Sequence, residues 1–236
     1  MVYGWARSGR GSGWCALCGQ RCDDLGLCPG CLADLPYQGP ACRRCALPLA
    51  ASAGGLCGDC LIAPPPYDEV VAIFDYAEPA DVMIQRLKFD GRLIYARILG
   101  KIMAIEIARR GVRLPRMILP VPLHPDRLAA RGFNQAVEIA RPLAARYGIR
   151  LDRTLCRRTR ATAEQTGLDA VARRRNMRRA FSVTSSMAGA DVVLLDDVMT
   201  TGSTLESLAL AARRAGASRV AVWVCARAAL SSRADP

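Results

Sequence analysis

The sequence predicts an α/β fold, an open and mostly parallel sheet flanked by helices, preceded by a small cysteine-rich module. Two observations carry this. Val192–Thr204, VVLLDDVMTTGST, reads as a short buried strand, a glycine- and hydroxyl-rich loop and the start of a helix, and further apolar strand-like runs and helically spaced runs precede and follow it. Four Cys-x-x-Cys pairs fall between Cys15 and Cys60, where periodic apolar pattern is sparse.

Composition sets the bounds. A chain of 236 residues, half of them apolar, is long enough for one well-buried domain and a small module. No apolar run reaches the roughly 18 residues of a membrane span. The opening MVYGWARSGRGSGW has no apolar core of a secretory signal, so residues 1–13 are expected to be a flexible polar lead-in and the protein cytoplasmic. Eleven cysteines in that compartment are expected to be reduced. A net charge of +12 favours polyanionic partners. Lys88 and Lys101 are the only lysines; the arginine bias suits bidentate phosphate binding, and GC-rich coding also produces it.

Residues 14–63 form the cysteine-rich module. Each pair, Cys15/Cys18, Cys28/Cys31, Cys42/Cys45 and Cys57/Cys60, offers two thiolates, and two pairs close a tetrahedral Zn²⁺ site. Sequential pairing is simplest, and a cross-braced pairing fits the similar intervals. Cys22 is left as a spare thiol. Glycines and prolines punctuate the segment, so metal binding would supply the folding free energy that burial does not. Filled coordination makes the zinc structural, while Arg21, Arg43 and Arg44 are available to a partner.

Ala63–Glu69 is a stiff proline-rich boundary, and residues 64–236 form the α/β domain. Val70–Tyr76 is a strand. Pro79–Leu87 and Leu93–Arg110 carry apolar residues at helical spacing, with LKFDGR (Leu87–Arg92) as a polar joint between them. There Lys88 and Arg92 either face the site or sit on a solvated helix end.

Met117–Val121 is the next strand, followed by an extended donor-rich loop, PVPLHPDRLAARGFNQA. Arg127, Arg131, Asn134 and Gln135 make that loop a candidate pyrophosphate site. His124 reads as a surface residue more readily than as a ligand contact. Phe133–Tyr147 is helical, with Pro142 expected to kink it because it lacks the N–H that would bond Glu138. Thr154–Arg157 is a strand. The long basic stretch Arg157–Phe181 follows, with Arg173, Arg174, Arg175, Arg178 and Arg179 as a candidate nucleic-acid grip. The neighbourhood offers little aromatic stacking, so such a grip would hold the backbone rather than read bases.

In the organising stretch, Asp196 and Asp197 end the strand, and Thr200, Thr201, Gly202, Ser203 and Thr204 lead into the helix Leu205–Ala215, stopped by Gly216. Ligands bind outside the carboxyl ends of parallel strands. The loop can aim N–H groups, hydroxyls and the helix N-terminus at one phosphate, with Gly202 allowing close approach and a Thr or Ser as N-cap. The two carboxylates would repel that phosphate but suit ribose hydroxyls or a cation one sugar away. Arg219–Cys225 is the last strand.

The string VVLLDDVMTTGST resembles the phosphoribosyl pyrophosphate (PRPP) signature of type I phosphoribosyltransferases. The wider set PPPYD, LKFDGR, PVPLHPDRLAARGFNQA, RRRNMRRAF and DDVMTTGST, behind a Cys-x-x-Cys ribbon, resembles the ComF family over residues 15–228. A departure is Ala163–Glu164, where members often carry prolines. The resemblance implies a type I phosphoribosyltransferase fold with an N-terminal double zinc ribbon, a mobile hood within Arg157–Phe181, and a link to uptake of single-stranded DNA with a helicase-like partner. Two functions then compete. One is phosphoribosyl transfer from PRPP with Mg²⁺, with Asp196 and Asp197 as the catalytic acids. The other is a non-catalytic single-stranded DNA-binding adaptor that keeps a PRPP pocket as sensor or relic.

Overall fold

Strand β8 (Asp191–Met199) forms the middle of the sheet because its apolar run is buried on both faces. Val192 and Leu194 point into one core, Val193 and Leu195 into the other. The computed structural model describes residues 13–50, 55–159 and 180–229. In chain order its elements are a hairpin β1 (Gly13–Trp14) and β2 (Arg21–Cys22), short helices α1 (Pro29–Ala33) and α2 (Gly58–Ile62), then β3 (Glu69–Asp75), α3 (Ala80–Asp90) and α4 (Leu93–Arg109). There follow β4 (Met117–Pro120), α5 (Pro125–Arg131), α6 (Gln135–Tyr147), β5 (Arg150–Leu151), β6 (Cys156–Arg158) and β7 (Phe181–Val183). After β8 come α7 (Ser203–Arg214) and β9 (Arg219–Arg227).

Five strands form a parallel sheet in the order β3-β9-β8-β4-β5. The chain leaves β4 outward to β5 and leaves β8 the other way to β9, so the topological switch point lies between β4 and β8. One face of the sheet packs against α3, α4 and α6, the other against α7 and the antiparallel pair β6–β7. Helices α4 and α6 approach closely because Gly100 has no side chain: a Cβ there would lie 2.3 Å from the Ile139 carbonyl oxygen and 3.0 Å from Pro142 Cγ. Pro142 thus has a packing role on Gly100. No described helix is long and apolar enough to cross a membrane.

The cysteine module clasps the sheet. Edge strand β3 is not left open to solvent: Gln38 N–H donates to Ile73 O at 2.9 Å, Asp75 N–H to Pro36 O at 2.9 Å, and Val70 N–H to Arg43 O at 2.8 Å. The first half of the module packs on α4, where Leu27 and Cys28 join the core and Tyr95 Oη donates to Ala16 O at 3.0 Å. The second half packs on the opposite face through Ala46.

Several expected boundaries move. LKFDGR is not a joint: α3 continues to Asp90 and stops at Gly91, left-handed at φ 65°, because Leu87 is buried and anchors the last turn. The loop after β4 contains α5, started by Pro125 behind His124, whose Nδ1 accepts from Asp126 N–H at 3.4 Å. Helix α6 begins at Gln135 rather than Phe133 because Asn134 caps it. The expected strand at Thr154 starts at Cys156, as Asp152 folds Thr154 and Leu155 into a turn through their N–H groups. Strand β9 runs two residues longer, to Arg227. The start of α7 has no hydroxyl cap; Gly202 occupies that position at φ 83°.

Candidate active site

Three elements meet at the switch point. Strand β4 ends at Pro120, opposite Leu195, while β8 continues beside β9 to Met199. Asp196 and Asp197 therefore lie within β8 rather than beyond its end, just past where β4 leaves a crevice. The two carboxylates stay close enough to interact directly with one another. Asp197 is buried and meets the ammonium of Lys88 from α3. Asp196 accepts the Asp197 backbone N–H on Oδ1 at 2.9 Å. Burial, then the Asp197 charge beside it, hold the Asp196 carboxyl well above the usual carboxylate range.

Cations surround this pair. The Arg131 guanidinium, at the end of α5, feels the Asp197 charge and donates to Gln135 Oε1 at 2.5 Å. Arg158, at the end of β6, lies half-buried, attracted by the Asp196 charge and repelled by Arg127. Burial pulls both the Arg131 and Arg158 guanidiniums below their ordinary values, and the carboxylates oppose it. Three cations, Lys88, Arg131 and Arg158, thus bear on two acids, with Arg127 adding further positive charge near Arg131 and Arg158, and the surplus favours a polyanion.

Beyond the acids, Thr200–Thr204 line a small concavity together with Asp196 and Met199. Thr201 Oγ1 and Ser203 Oγ lie 3.1 Å apart, and Ser203 N–H points to Thr201 Oγ1 at 3.4 Å. The first-turn amides of α7 lack intrahelical acceptors, and the helix dipole adds positive potential there. At Gly202 a Cβ would sit 2.7 Å from Met199 Cε and 3.3 Å from Tyr67 Oη, besides needing a left-handed backbone.

Of the residues expected at the pyrophosphate end, Arg131 is drawn to the Asp197 charge, while Arg127 is exposed on α5 near Arg131 and Arg158. Asn134 makes internal bonds: Oδ1 accepts Ala136 N–H at 2.9 Å and Nδ2 donates to Val121 O at 2.9 Å. Gln135 is buried against Arg131. Arg173, Arg174, Arg175, Arg178 and Arg179 lie outside the described residues. Reading by local pattern did not single out Arg158, because it is one arginine in a basic stretch, and it left Lys88 ambiguous.

The eight cysteines gather as Cys15/Cys18/Cys28/Cys31 and Cys42/Cys45/Cys57/Cys60, with the thiol sulfurs of each group within 4.8 Å of one another. The pairing is sequential. Tetrahedral zinc–thiolate bonds require sulfurs about 3.8 Å apart; Cys18 and Cys28 stand at 3.6 Å, as do Cys45 and Cys57. Burial raises the thiols of Cys15 and Cys42, but backbone N–H groups outweigh it and bring them down to about 6 and about 7. Both clusters fit zinc as a structural ion, with no coordination position left for chemistry. Cys22 stands outside both. Arg44 is not free for a partner, since its Nη1 donates to Tyr67 O at 2.7 Å.

Comparison with known proteins agrees with this architecture. Residues 13–61 match the double zinc ribbon domain and residues 128–235 the phosphoribosyl transferase domain. The DNA utilization protein YhgH of Escherichia coli (strain K12) is 38% identical over 206 residues, 86% of this chain and 90% of that protein. Competence protein F of Haemophilus influenzae is 37% identical over 210 residues, covering 86% and 91%. Competence protein ComFC of Streptococcus pneumoniae is 26% identical over 230 residues, covering 90% and 99%. Among solved structures, the glutamine PRPP amidotransferase from B. subtilis aligns at a TM-score of 0.38 and 23% identity, over 53% of this chain and only 25% of its own length. A purine phosphoribosyltransferase from Pyrococcus horikoshii aligns at 0.33 and 16%, covering 58% and 89%.

Proposed function

The chain belongs to the ComF family of competence and DNA-utilization proteins, and on that premise we propose that its α/β domain binds PRPP with Mg²⁺ and transfers the 5-phosphoribosyl group to an acceptor, in support of DNA uptake. The observation that carries the reading is the meeting of Asp196 and Asp197 with Lys88, Arg131 and the Thr200–Thr204 loop at the switch point.

Each part has a physical task. Thr200, Thr201, Gly202, Ser203 and Thr204 hold the 5-phosphate with amides and hydroxyls. Asp196 and Asp197 hold the ribose hydroxyls and steady the positive charge that develops at C1 as the bond to pyrophosphate breaks. Arg127 and Arg131 neutralise the departing pyrophosphate, with Asn134 and Gln135 fixing the turn that presents them. Lys88 is the partner that Asp197 exchanges for substrate, and its ammonium then lies beside the pyrophosphate charge. Two adjacent carboxylates facing a polyphosphate suit Mg²⁺, which supplies charge neutralisation when bound. The acceptor's nucleophile forms the new bond to C1 and pyrophosphate leaves.

The relatives' names and the net charge of +12 favour a second reading, a single-stranded DNA-binding adaptor with the PRPP pocket as sensor or relic. Arg173, Arg174, Arg175, Arg178 and Arg179 would grip its backbone, and a helicase-like protein would be the partner. The test of the pocket is the double variant Asp196→Asn with Asp197→Asn. It is expected to lose Mg·PRPP binding while keeping two zinc ions and its fold; unchanged affinity would sink the assignment.

A further inference from the structure

Arg227, the last residue of β9, is a buried cation, 3% exposed. Its Nε donates to Cys45 O at 2.9 Å; its Nη1 donates to Met199 O at 2.9 Å, to Ala228 O at 2.7 Å and to Thr200 O. All these acceptors are neutral carbonyls, and no carboxylate pairs with it among the described residues. Burying an uncompensated charge is costly. The cluster it touches is the second cysteine cluster, through the Cys45 carbonyl that its Nε holds. Four thiolates on one Zn²⁺ leave about two net negative charges. A zinc-loaded centre would thus supply a counter-charge to the guanidinium, which is bonded to its Cys45 knuckle.

The other ends of the same guanidinium reach the phosphate loop. In a trans peptide the N–H points opposite to the C=O. Holding the Met199 and Thr200 carbonyls on Arg227 therefore turns the Thr200 and Thr201 N–H groups away from it. The rest of the knuckle works in the same direction. Arg44 fixes Tyr67 through its carbonyl, Ala46 packs in the same core as Tyr67 and Met199, and Tyr67 and Met199 close the space under Gly202. The first cluster packs on α4, on the other face of the sheet, and has no such connection among the described residues.

We propose that the Cys42/Cys45/Cys57/Cys60 centre is part of the phosphate site, with Arg227 as the positioning residue that transmits its geometry to the Met199–Thr204 loop. Affinity for a phosphomonoester then depends on zinc at the second centre and not at the first. This rests on the reading of Thr200–Thr204 as the 5-phosphate loop.

The probes are ribose 5-phosphate, which uses the loop, and Mg·pyrophosphate, which uses Arg127 and Arg131. Titrated by calorimetry, R227M is expected to bind ribose 5-phosphate roughly tenfold or more weakly, as loss of charge-assisted bonds implies. Its zinc content and its Mg·pyrophosphate affinity stay near wild type, and R227K recovers part of the loss. Wild-type affinity in a folded, zinc-replete R227M overturns the proposal, as does equal weakening of both probes. Should R227M not fold, the full-length variants C57S and C18S carry the same test. C57S is expected to lose ribose 5-phosphate binding and to speed hydrogen exchange at residues 199–204, whereas C18S does neither; equal behaviour of the two overturns the proposal. If the wild-type chain itself binds no ribose 5-phosphate, the PRPP reading fails, and the exchange comparison still decides the coupling.

Discussion

Lys88, in the last turn of α3, forms an ion pair with Asp197 of β8, whose carboxylate is otherwise buried. The pair joins two elements far apart in the chain at the crevice where β4 ends. It satisfies an acid that the proposed reaction needs bare. The other acid, Asp196, has a different source of strain.

Asp196 is held above the usual carboxylate range by burial first and by Asp197 second. A carboxyl raised in the folded state contributes stability below its unfolded value of about 3.9, and that contribution is lost as pH rises through the folded value. Asp196→Asn removes the penalty. It is expected to melt a few degrees above wild type at neutral pH, the shift of about 1 kcal/mol in a chain of this size. The gap should close as pH falls towards 4. Thermal melts from pH 4 to 8 check this, and a gap independent of pH would contradict it.

Gly202→Ala should cost binding as well as stability. The backbone there is left-handed, φ 83°, and a Cβ meets Met199 Cε at 2.7 Å. Strain of about 1–2 kcal/mol is expected, with ribose 5-phosphate affinity falling about tenfold as the loop shifts. Gly111→Ala is the control: φ is 61° and no atom lies within 4 Å of the added Cβ. It should lower the melting temperature and leave affinity unchanged.

Gly100→Ala tests the helix contact under the sheet. The added Cβ would fall 2.3 Å from a backbone oxygen, so α4 and α6 must move apart. Overpacking of this kind costs about 1–3 kcal/mol or more. Urea unfolding should show the loss as a lower midpoint, and a midpoint equal to wild type would mean the two helices slide freely.

The pattern of these sites explains what was legible in the sequence. Asp196, Asp197 and the Thr200–Thr204 loop are contiguous, so one strand–loop–helix shows them together. The cysteine pairs were legible for the same reason, though only folding decided that the pairing is sequential. Lys88, Arg158 and Arg227 come to the site from three separate elements, and nothing local distinguishes them from solvated arginines and lysines. LKFDGR reads as a joint because it is polar, yet burial of Leu87 keeps it helical. The clasp of residues 36–43 on β3 was equally hidden, since it consists of backbone hydrogen bonds between irregular chain and an edge strand.

Arg174→Ala with Arg178→Ala addresses the nucleic-acid reading. Each phosphate contact on single-stranded DNA contributes about 0.7 to the slope of log affinity against log salt. If both arginines grip phosphates, the double variant should flatten that slope by about 1.4. A slope identical to wild type would make them surface charge only.

The most direct measurement is calorimetric titration of the zinc-loaded protein with Mg·PRPP, with and without a short single-stranded DNA. Saturable binding of one PRPP per chain is expected, lost in the Asp196→Asn, Asp197→Asn double variant, whether or not DNA is present. Absence of PRPP binding beside salt-sensitive DNA binding would contradict it, and would mean that the fold serves as a nucleic-acid module alone.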